Sequence, residues 1–323
     1  MIDYLKLKEL INSGESLYIT AHKNIDLDAL GSILGMYFVC QKLGKEAIIV
    51  IDDKEVSPEI RRSINEIKKL NIFIRNYDDV KDKLNDDALL IILDVNKSKR
   101  IQNEKMLRVD NKVVIDHHIE TEDSIDTTYK YIDIESSSAC EMVLELIKEM
   151  NVIIPSEIAT IMLAGIYIDT NAFVLKTTKK THIYVSLLYE FGADNIEVQY
   201  LLKQNYDEFK RRQKLTLNTE FYKNYAISFC DETFFNTELA KASDVTLTFN
   251  NVEASFSIGK LSDDIIGISA RSIGNLDVAK IMNYFNGGGH KTDAAAQIKG
   301  NDVIKVKNDL IEYLGGLDES NIY

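Results

Sequence analysis

Four short β-branched runs constrain the fold of this chain more than any other feature: LYITA (17–21), AIIVI (47–51), ALLIIL (88–93) and KVVI (112–115). None alternates between apolar and polar residues. A strand with one face in water alternates, whereas a strand covered on both faces does not. Helical patterns separate the first runs, DALGSILGMYFVCQKLG (28–44) and SPEIRRSINEIKKL (57–70). The second places Ser57 as N-cap and Pro58 at the first helical position. Strand, helix and strand in this order predict an α/β, doubly wound parallel sheet.

The pattern turns helical from about 137 to 221. Strand-like runs return at YAISFC (225–230), EASFSIGKL (253–261) and DIIGISARS (264–272). A helix, LDVAKIMNYF, and the segment NGGGHKTDAAAQI follow. The reading is a first domain over 1–194, a charged helical connector over 195–221 and a smaller α/β domain over 222–323. No repeat and no low-complexity tract interrupts them.

Parallel sheets bind ligands beyond the C-terminal ends of their strands, so the residues after each run matter most. LYITA is followed by His22, Asp26 and Asp28, ALLIIL by Asp94, and KVVI by Asp116, His117 and His118. A fourth apolar segment, TIMLAGIYI, ends in Asp169. Singly, an Asp after a strand is a helix cap or turn former, and Asp28 could simply cap the next helix. Together, the carboxylates would repel one another and shift their pKa values upward unless cations neutralise them. Mixed His and Asp donors without thiolates suit manganese, zinc or iron better than calcium. Four Asp and two His suffice for two ions if one carboxylate bridges. Paired ions about 3.5–4 Å apart are a recurrent device for displacement at phosphorus.

These residues and their order, His22-x-x-x-Asp26-x-Asp28, Asp94, Asp116-His117-His118 and Asp169, resemble the four motifs of the DHH phosphoesterase family. The downstream GGGH (287–290) resembles the signature of the DHHA1 domain that accompanies many members. Within the family, AHKNIDLDALGS, VVIDHH, SSSACEMV, MLAGIYIDT and GISARSIGNLDVAKIM look like the catalytic part of bacterial cyclic-di-AMP phosphodiesterases, here in a stand-alone soluble form. The resemblance implies that His22, Asp26 and Asp94 hold one metal ion, with manganese expected. Asp28, Asp94, His117 and Asp169 would hold the other, with Asp94 bridging. It casts Asp116 as the support of His117, and His118 as facing the scissile phosphate. It also implies a homodimer. Asn96 stands where close relatives often carry histidine, and DTNAF (169–173) departs slightly from the usual wording.

Three glycines allow close backbone approach to a phosphate, so Gly287, Gly288, Gly289 and His290 are candidate substrate contacts. The bland alternative is a helix C-cap and turn. Arg271 and Ser272 join them, Arg271 as a phosphate clamp. His182 lies outside any motif and reads as ordinary.

Charge and composition limit the partners. The net charge is −13, Trp is absent, and the basic runs KSKR and FKRR are short. A binder of long nucleic acid needs a basic channel and stacking platforms. A small, two-phosphate ligand fits better, and the resemblance implies that it is cyclic-di-AMP or pApA. Three scattered cysteines fit neither a CxxC pattern nor a disulfide framework. No apolar run approaches the ~18 residues of a membrane helix, and the N-terminus is no signal peptide. The chain therefore reads as cytoplasmic. The expected activity is hydrolysis of cyclic-di-AMP to pApA and on to AMP. The alternatives are an oligoribonuclease and pAp phosphatase for very short RNA, and a non-catalytic sensor of the cyclic dinucleotide.

Overall fold

The computed structural model describes residues 3–53 and 56–316. They form two compact units that divide between Lys203 and Gln204. The segment expected as a connector falls on both sides of that division. Helix Asn195–Leu201 belongs to the first unit and helix Tyr206–Leu217 to the second.

The first unit is built on a parallel sheet of β1 (Leu17–Thr20), β2 (Ala47–Val50), β3 (Ile74–Arg75), β4 (Leu89–Leu93), β5 (Asn111–Asp116) and β6 (Tyr129–Ile132). Its order is β3-β2-β1-β4-β5-β6. The chain moves outward from β1 through β2 to β3, then returns to place β4 on the other side of β1. The order therefore reverses between β1 and β4, and a crevice at that point is where such sheets bind ligands.

Burial explains the doubly apolar runs. Leu17, Ile19, Leu89, Ile91, Val113 and Ile115 join a core with helices Leu27–Lys42, Ala139–Glu149 and Ser156–Asp169. Tyr18, Val50, Leu90, Ile92 and Val114 join a second core on the opposite face. Short elements cover that face, including Tyr77–Val80 and the 3-10 turn Glu104–Arg108. The two short edge strands, β3 and β6, were not expected from the sequence. Ser57 sits at the N-cap as expected, but its side chain makes no capping hydrogen bond.

The three helices lie unusually close. A Cβ on Gly165 would sit 2.8 Å from Asp28 Cα and from the Leu27 carbonyl oxygen. A Cβ on Gly31 would sit 2.7 Å from Cys140 Sγ. Glycine here allows backbone approach that brings the start of helix Leu27–Lys42 against the last turns of helix Ser156–Asp169.

The second unit carries β7 (Thr219–Tyr222), β8 (Tyr225–Thr233), β9 (Ala254–Ser262), β10 (Ile265–Ser272), β11 (Gly288–Gly289) and β12 (Asp293–Lys299) in the order β11-β12-β10-β9-β8-β7. The pair β8–β9 is parallel, joined through helix Asn236–Leu247, and the other pairs are antiparallel. Small residues let that helix settle on the sheet: Ser243 Oγ donates to Ser257 Oγ at 2.9 Å, and Ser255 Oγ to the Ser243 carbonyl at 2.7 Å. Helices Val278–Tyr284 and Val303–Gly316 contribute Val278, Ile281, Leu310 and Leu314 to the main apolar core.

Candidate metal centre

The ends of β1, β4 and β5 deliver their polar residues to one edge. The loop after β1 runs into helix Leu27–Lys42, whose N-cap is Asp26, not Asp28. Asp26 Oδ1 accepts from the Ala29 N–H at 3.0 Å, and Oδ2 lies 3.5 Å from His22 Nε2. Asp28 is fully buried and serves another helix. Its two oxygens accept the N–H groups of Ala139 at 2.7 Å and Cys140 at 2.8 Å, the first turn of helix Ala139–Glu149. Backbone N–H groups and the helix dipole both favour a carboxylate there.

Asp94 follows β4 with φ +56, in the left-handed region that L residues rarely occupy. This backbone turn places its carboxylate between two imidazoles: Oδ2 is 3.2 Å from His22 Nε2, and Oδ1 is 3.2 Å from His117 Nε2. His117 Nε2 also lies 3.4 Å from Asp169 Oδ2 and 3.9 Å from Asp28 Oδ2. Asp169 closes its helix, and the next turn is strained. Asn171, Ala172 and Phe173 have φ of 46, 59 and 65. The turn is held by the Ala172 N–H on the Tyr167 carbonyl at 2.8 Å.

Among the described residues three donor groups result, His22–Asp26–Asp94, Asp28–His117–Asp169 and Asp94–Asp116–His117–His118, and within each the donor atoms lie within 4.8 Å of one another. Asp94 belongs to the first and touches His117 of the second. Asp94 Oδ1 and His117 Nε2 are buried and make no hydrogen bond, although only 3.2 Å separates them. Buried polar atoms are normally satisfied, so an oxygen and a ring nitrogen aimed at one another without a hydrogen bond suit the donor set of a metal ion. His22 is set for the same role. Its Nδ1 lies 2.7 Å from the Lys23 carbonyl oxygen, which can only accept, so in the neutral ring that ligates a metal the lone pair falls on Nε2.

The electrostatics carry the same imprint of uncompensated charge. Burial and then the neighbouring Asp94 push Asp28 up to about 6, with His117 pulling it back. Burial and then Asp28 and Asp26 hold Asp169 well above the usual carboxylate range. Burial opposes charge on His117, but Asp94, Asp169 and Asp28 raise it to about 10. His22 is raised against burial by Asp26 and Asp94. Asp94 itself stays well below the ordinary range: burial works against this, and His117 and His22 outweigh it. Protons occupy the places that divalent ions would neutralise.

Asp116 is a correction. It pairs with His118 rather than His117: its Oδ1 lies 2.7 Å from His118 Nδ1 and accepts the His118 backbone N–H at 3.2 Å. The geometry of the β5 end turns His118 back toward the residue two before it, which spacing alone does not reveal. Asn96, buried at 3% exposure, donates from Nδ2 to the His118 carbonyl at 2.9 Å and so steadies the same loop.

In the second unit, Arg271 Nε lies 2.8 Å from Asp244 Oδ1, and its Nη1 donates to the Ala270 carbonyl at 3.0 Å. Asp244, on helix Asn236–Leu247, carries no motif and was missed from the sequence. Ser272 Oγ is turned inward and donates to the Leu276 carbonyl at 2.7 Å. Helix Val278–Tyr284 is capped at Phe285, Asn286 follows in the left-handed conformation, and the Gly287 N–H closes the turn on the Met282 carbonyl at 2.8 Å, so only the first glycine serves the helix end. Gly288 and Gly289 instead form β11 against β12, where a Cβ on Gly289 would meet Ala294 Cα at 2.4 Å. The His290 N–H donates to the Asp293 carbonyl at 2.6 Å and closes that hairpin. His182 is exposed on helix Lys179–Glu190, its ring 6.1 Å from that of Phe173. Among the described residues, no helix is long and apolar enough to cross a membrane.

The chain matches the DHH family N-terminal domain over residues 16–166 and the DHHA1 domain over residues 223–316. It is 35% identical over 330 residues to the cyclic-di-AMP phosphodiesterase GdpP of Bacillus subtilis, covering 96% of this chain and 50% of that protein. It is 33% identical over 316 residues to the cyclic-di-AMP phosphodiesterase PdeA of Listeria monocytogenes, covering 94% of this chain and 48% of that protein. The chain thus spans about half the length of each. A crystal structure of an exopolyphosphatase-related protein from Bacteroides fragilis shares the fold, with a TM-score of 0.81 at 22% identity over 96% of this chain and 95% of the other. With both domain models matched in order and the His and Asp donors gathered at the strand ends, the chain belongs to the DHH family, in its DHH–DHHA1 form.

Proposed function

We propose that this chain is a metal-dependent phosphodiesterase that hydrolyses cyclic-di-AMP to pApA and carries pApA on to AMP. The observation that carries the reading is Asp94, set 3.2 Å from an imidazole nitrogen of each donor group. His22, Asp26 and Asp94 would hold one divalent ion, and Asp28, Asp94, His117 and Asp169 a second, with manganese the expected metal. When bound, such ions supply an activated water and neutralise charge on a phosphoryl group.

The chain's own residues do the rest. The Asp116 carboxylate orients the His118 ring through Nδ1, and His118 would exchange a proton with a substrate oxygen. Arg271 would clamp a phosphate, its guanidinium already aligned by Asp244. Ser272, Gly287, Gly288, Gly289 and His290 complete the proposed substrate contacts, and a homodimer is part of the same proposal. The names of GdpP and PdeA favour cyclic-di-AMP.

A second reading has its own support. A probable bifunctional oligoribonuclease and PAP phosphatase, NrnA of Streptococcus mutans, is 27% identical over 186 residues, covering 57% of this chain and 55% of that protein. Rates on cyclic-di-AMP, cyclic-di-GMP, pApA and short RNA, measured side by side with manganese, decide between them. Cyclic-di-AMP should be the substrate with the highest kcat/KM. Intact cyclic-di-AMP beside degraded pApA or RNA overturns the first reading. Tight binding of cyclic-di-AMP without any product would identify a sensor.

A further inference from the structure

The loop that carries His22 and Asp26 is gripped by two residues outside every motif. Asp53 follows β2, and Gln102 follows β4, so the loops after three strands meet here. Asp53 Oδ1 accepts the Asn24 N–H at 3.1 Å, and Oδ2 accepts the Ile25 N–H at 2.9 Å. Gln102 Nε2 donates to Asp53 Oδ2 at 2.9 Å and to the His22 carbonyl at 2.6 Å. Its Oε1 accepts the Asp52 N–H at 2.7 Å, so both ends of the amide are used, at 5% exposure.

The peptide group between Lys23 and Asn24 joins this network to the donor. Its N–H is held by Asp53, and its C=O accepts from His22 Nδ1 at 2.7 Å. A peptide group is planar, so fixing its N–H fixes the direction of its carbonyl. That carbonyl in turn sets which ring nitrogen of His22 carries the proton and which faces Asp26 and Asp94. Asn24 has φ +55, in the left-handed region that asparagine enters more readily than most residues. Three N–H donors converge on the Asp53 carboxylate. An asparagine there would offer one oxygen and turn an NH₂ group toward a donor.

We propose that Asp53 and Gln102 are positioning residues for the His22 side of the metal centre, acting through the Lys23–Asn24 peptide and the His22 backbone. The inference rests on the metal-centre reading above, and the test separates the two. Wild type, Asp53→Asn and Gln102→Ala are each checked for equal melting temperature in EDTA, then titrated with Mn²⁺ by calorimetry. Wild type should show two binding events. In both variants one event should weaken about 10–100-fold, as loss of an outer hydrogen-bond partner does, while the other is unchanged. Wild-type affinity and stoichiometry in both variants would overturn the proposal, and so would equal weakening of both events. If Asp53→Asn fails to fold, Gln102→Ala decides alone. Wild type that takes up no Mn²⁺ removes the metal centre itself, a result distinct from variants that match a two-ion wild type.

Discussion

Asp116 Oδ1 lies 2.7 Å from His118 Nδ1, while the neighbouring His117 turns its Nε2 to Asp94 and Asp169 instead. The two adjacent histidines share Asp94 Oδ1, at 3.2 Å from His117 Nε2 and 3.6 Å from His118 Nδ1, but only His118 holds Asp116, and the ring centroids are 4.4 Å apart. A carboxylate can only accept, so it keeps a proton on His118 Nδ1 and orients the ring. His117 has no such partner at Nε2 and is left with an orphaned, buried nitrogen.

That difference predicts a separation by mutation. His118→Ala should keep the Mn²⁺ stoichiometry and lower kcat by ~10²–10⁴, the usual contribution of a positioned acid or base. His117→Ala should instead lose metal occupancy. Calorimetry with Mn²⁺ and single-substrate kinetics read the two effects independently. Equal loss of metal in both variants would remove the distinction.

The raised groups predict how metal binding depends on pH. A ligating imidazole must be deprotonated, yet His117 without metal holds its proton up to about pH 10. Its folded pKa lies above the unfolded value, so its contribution to the metal-free fold is complete below about 6.5 and is lost as pH rises through 10. Asp28, raised to about 6, also favours its protonated form, and that contribution is lost between its unfolded value and about 6. The metal-free fold should weaken as pH rises from 7 to 9, and Mn²⁺ affinity should increase about tenfold per unit for each proton released. The gap in melting temperature between Mn²⁺ and EDTA samples should widen over that interval. A constant gap would contradict the proton–metal exchange.

The close helix crossing gives a prediction about stability. Gly165→Ala puts a methyl 2.8 Å from Asp28 Cα and the Leu27 carbonyl, both of them backbone atoms that cannot swing aside. Overpacking of this kind costs typically about 1–3 kcal/mol. The helices that carry Asp28 and Asp169 must separate to relieve it. Urea denaturation should show that loss, and Mn²⁺ affinity should fall with it. Gly44→Ala is the control for a different mechanism. Nothing lies within 4 Å of its Cβ, but its φ of +74 makes the loss conformational, with metal binding unchanged.

How far the sequence discloses this molecule depends on whether a residue type or a residue's surroundings does the work. The runs at β1, β2, β4 and β5 were legible because a strand buried on both faces has no polar residue to spare. β3 is two residues long, β6 (YKYI) alternates at an edge, and β12 (DAAAQIK) is rich in alanine, so none gives that signal. The metal-centre donors stand out because carboxylates and imidazoles follow apolar strands. The pairing within the set does not stand out, since Asp116 reaches His118 only through the turn at the end of β5. Asp28 offered itself as a helix cap, but Asp26 caps its helix and Asp28 holds the start of another. Asp53, Gln102 and Asp244 were invisible for the same reason: their effect lies in partners distant in sequence.

Asp244 supplies the last prediction. It holds Arg271 Nε at 2.8 Å and is itself raised by burial, with Arg271 drawing it back down. A guanidinium fixed on one edge by a carboxylate presents its remaining N–H groups in a defined direction. Asp244→Ala should let Arg271 take other rotamers and raise KM for pApA about tenfold, with kcat nearly unchanged, the sign of lost ground-state binding. Arg271→Ala should raise KM further, and the double variant should resemble Arg271→Ala alone, because Asp244 acts only through the arginine. Arg271→Lys should not restore the wild-type KM, since an ammonium lacks the planar fork. Additive effects of the two alanine substitutions would show that Asp244 influences substrate by a separate route.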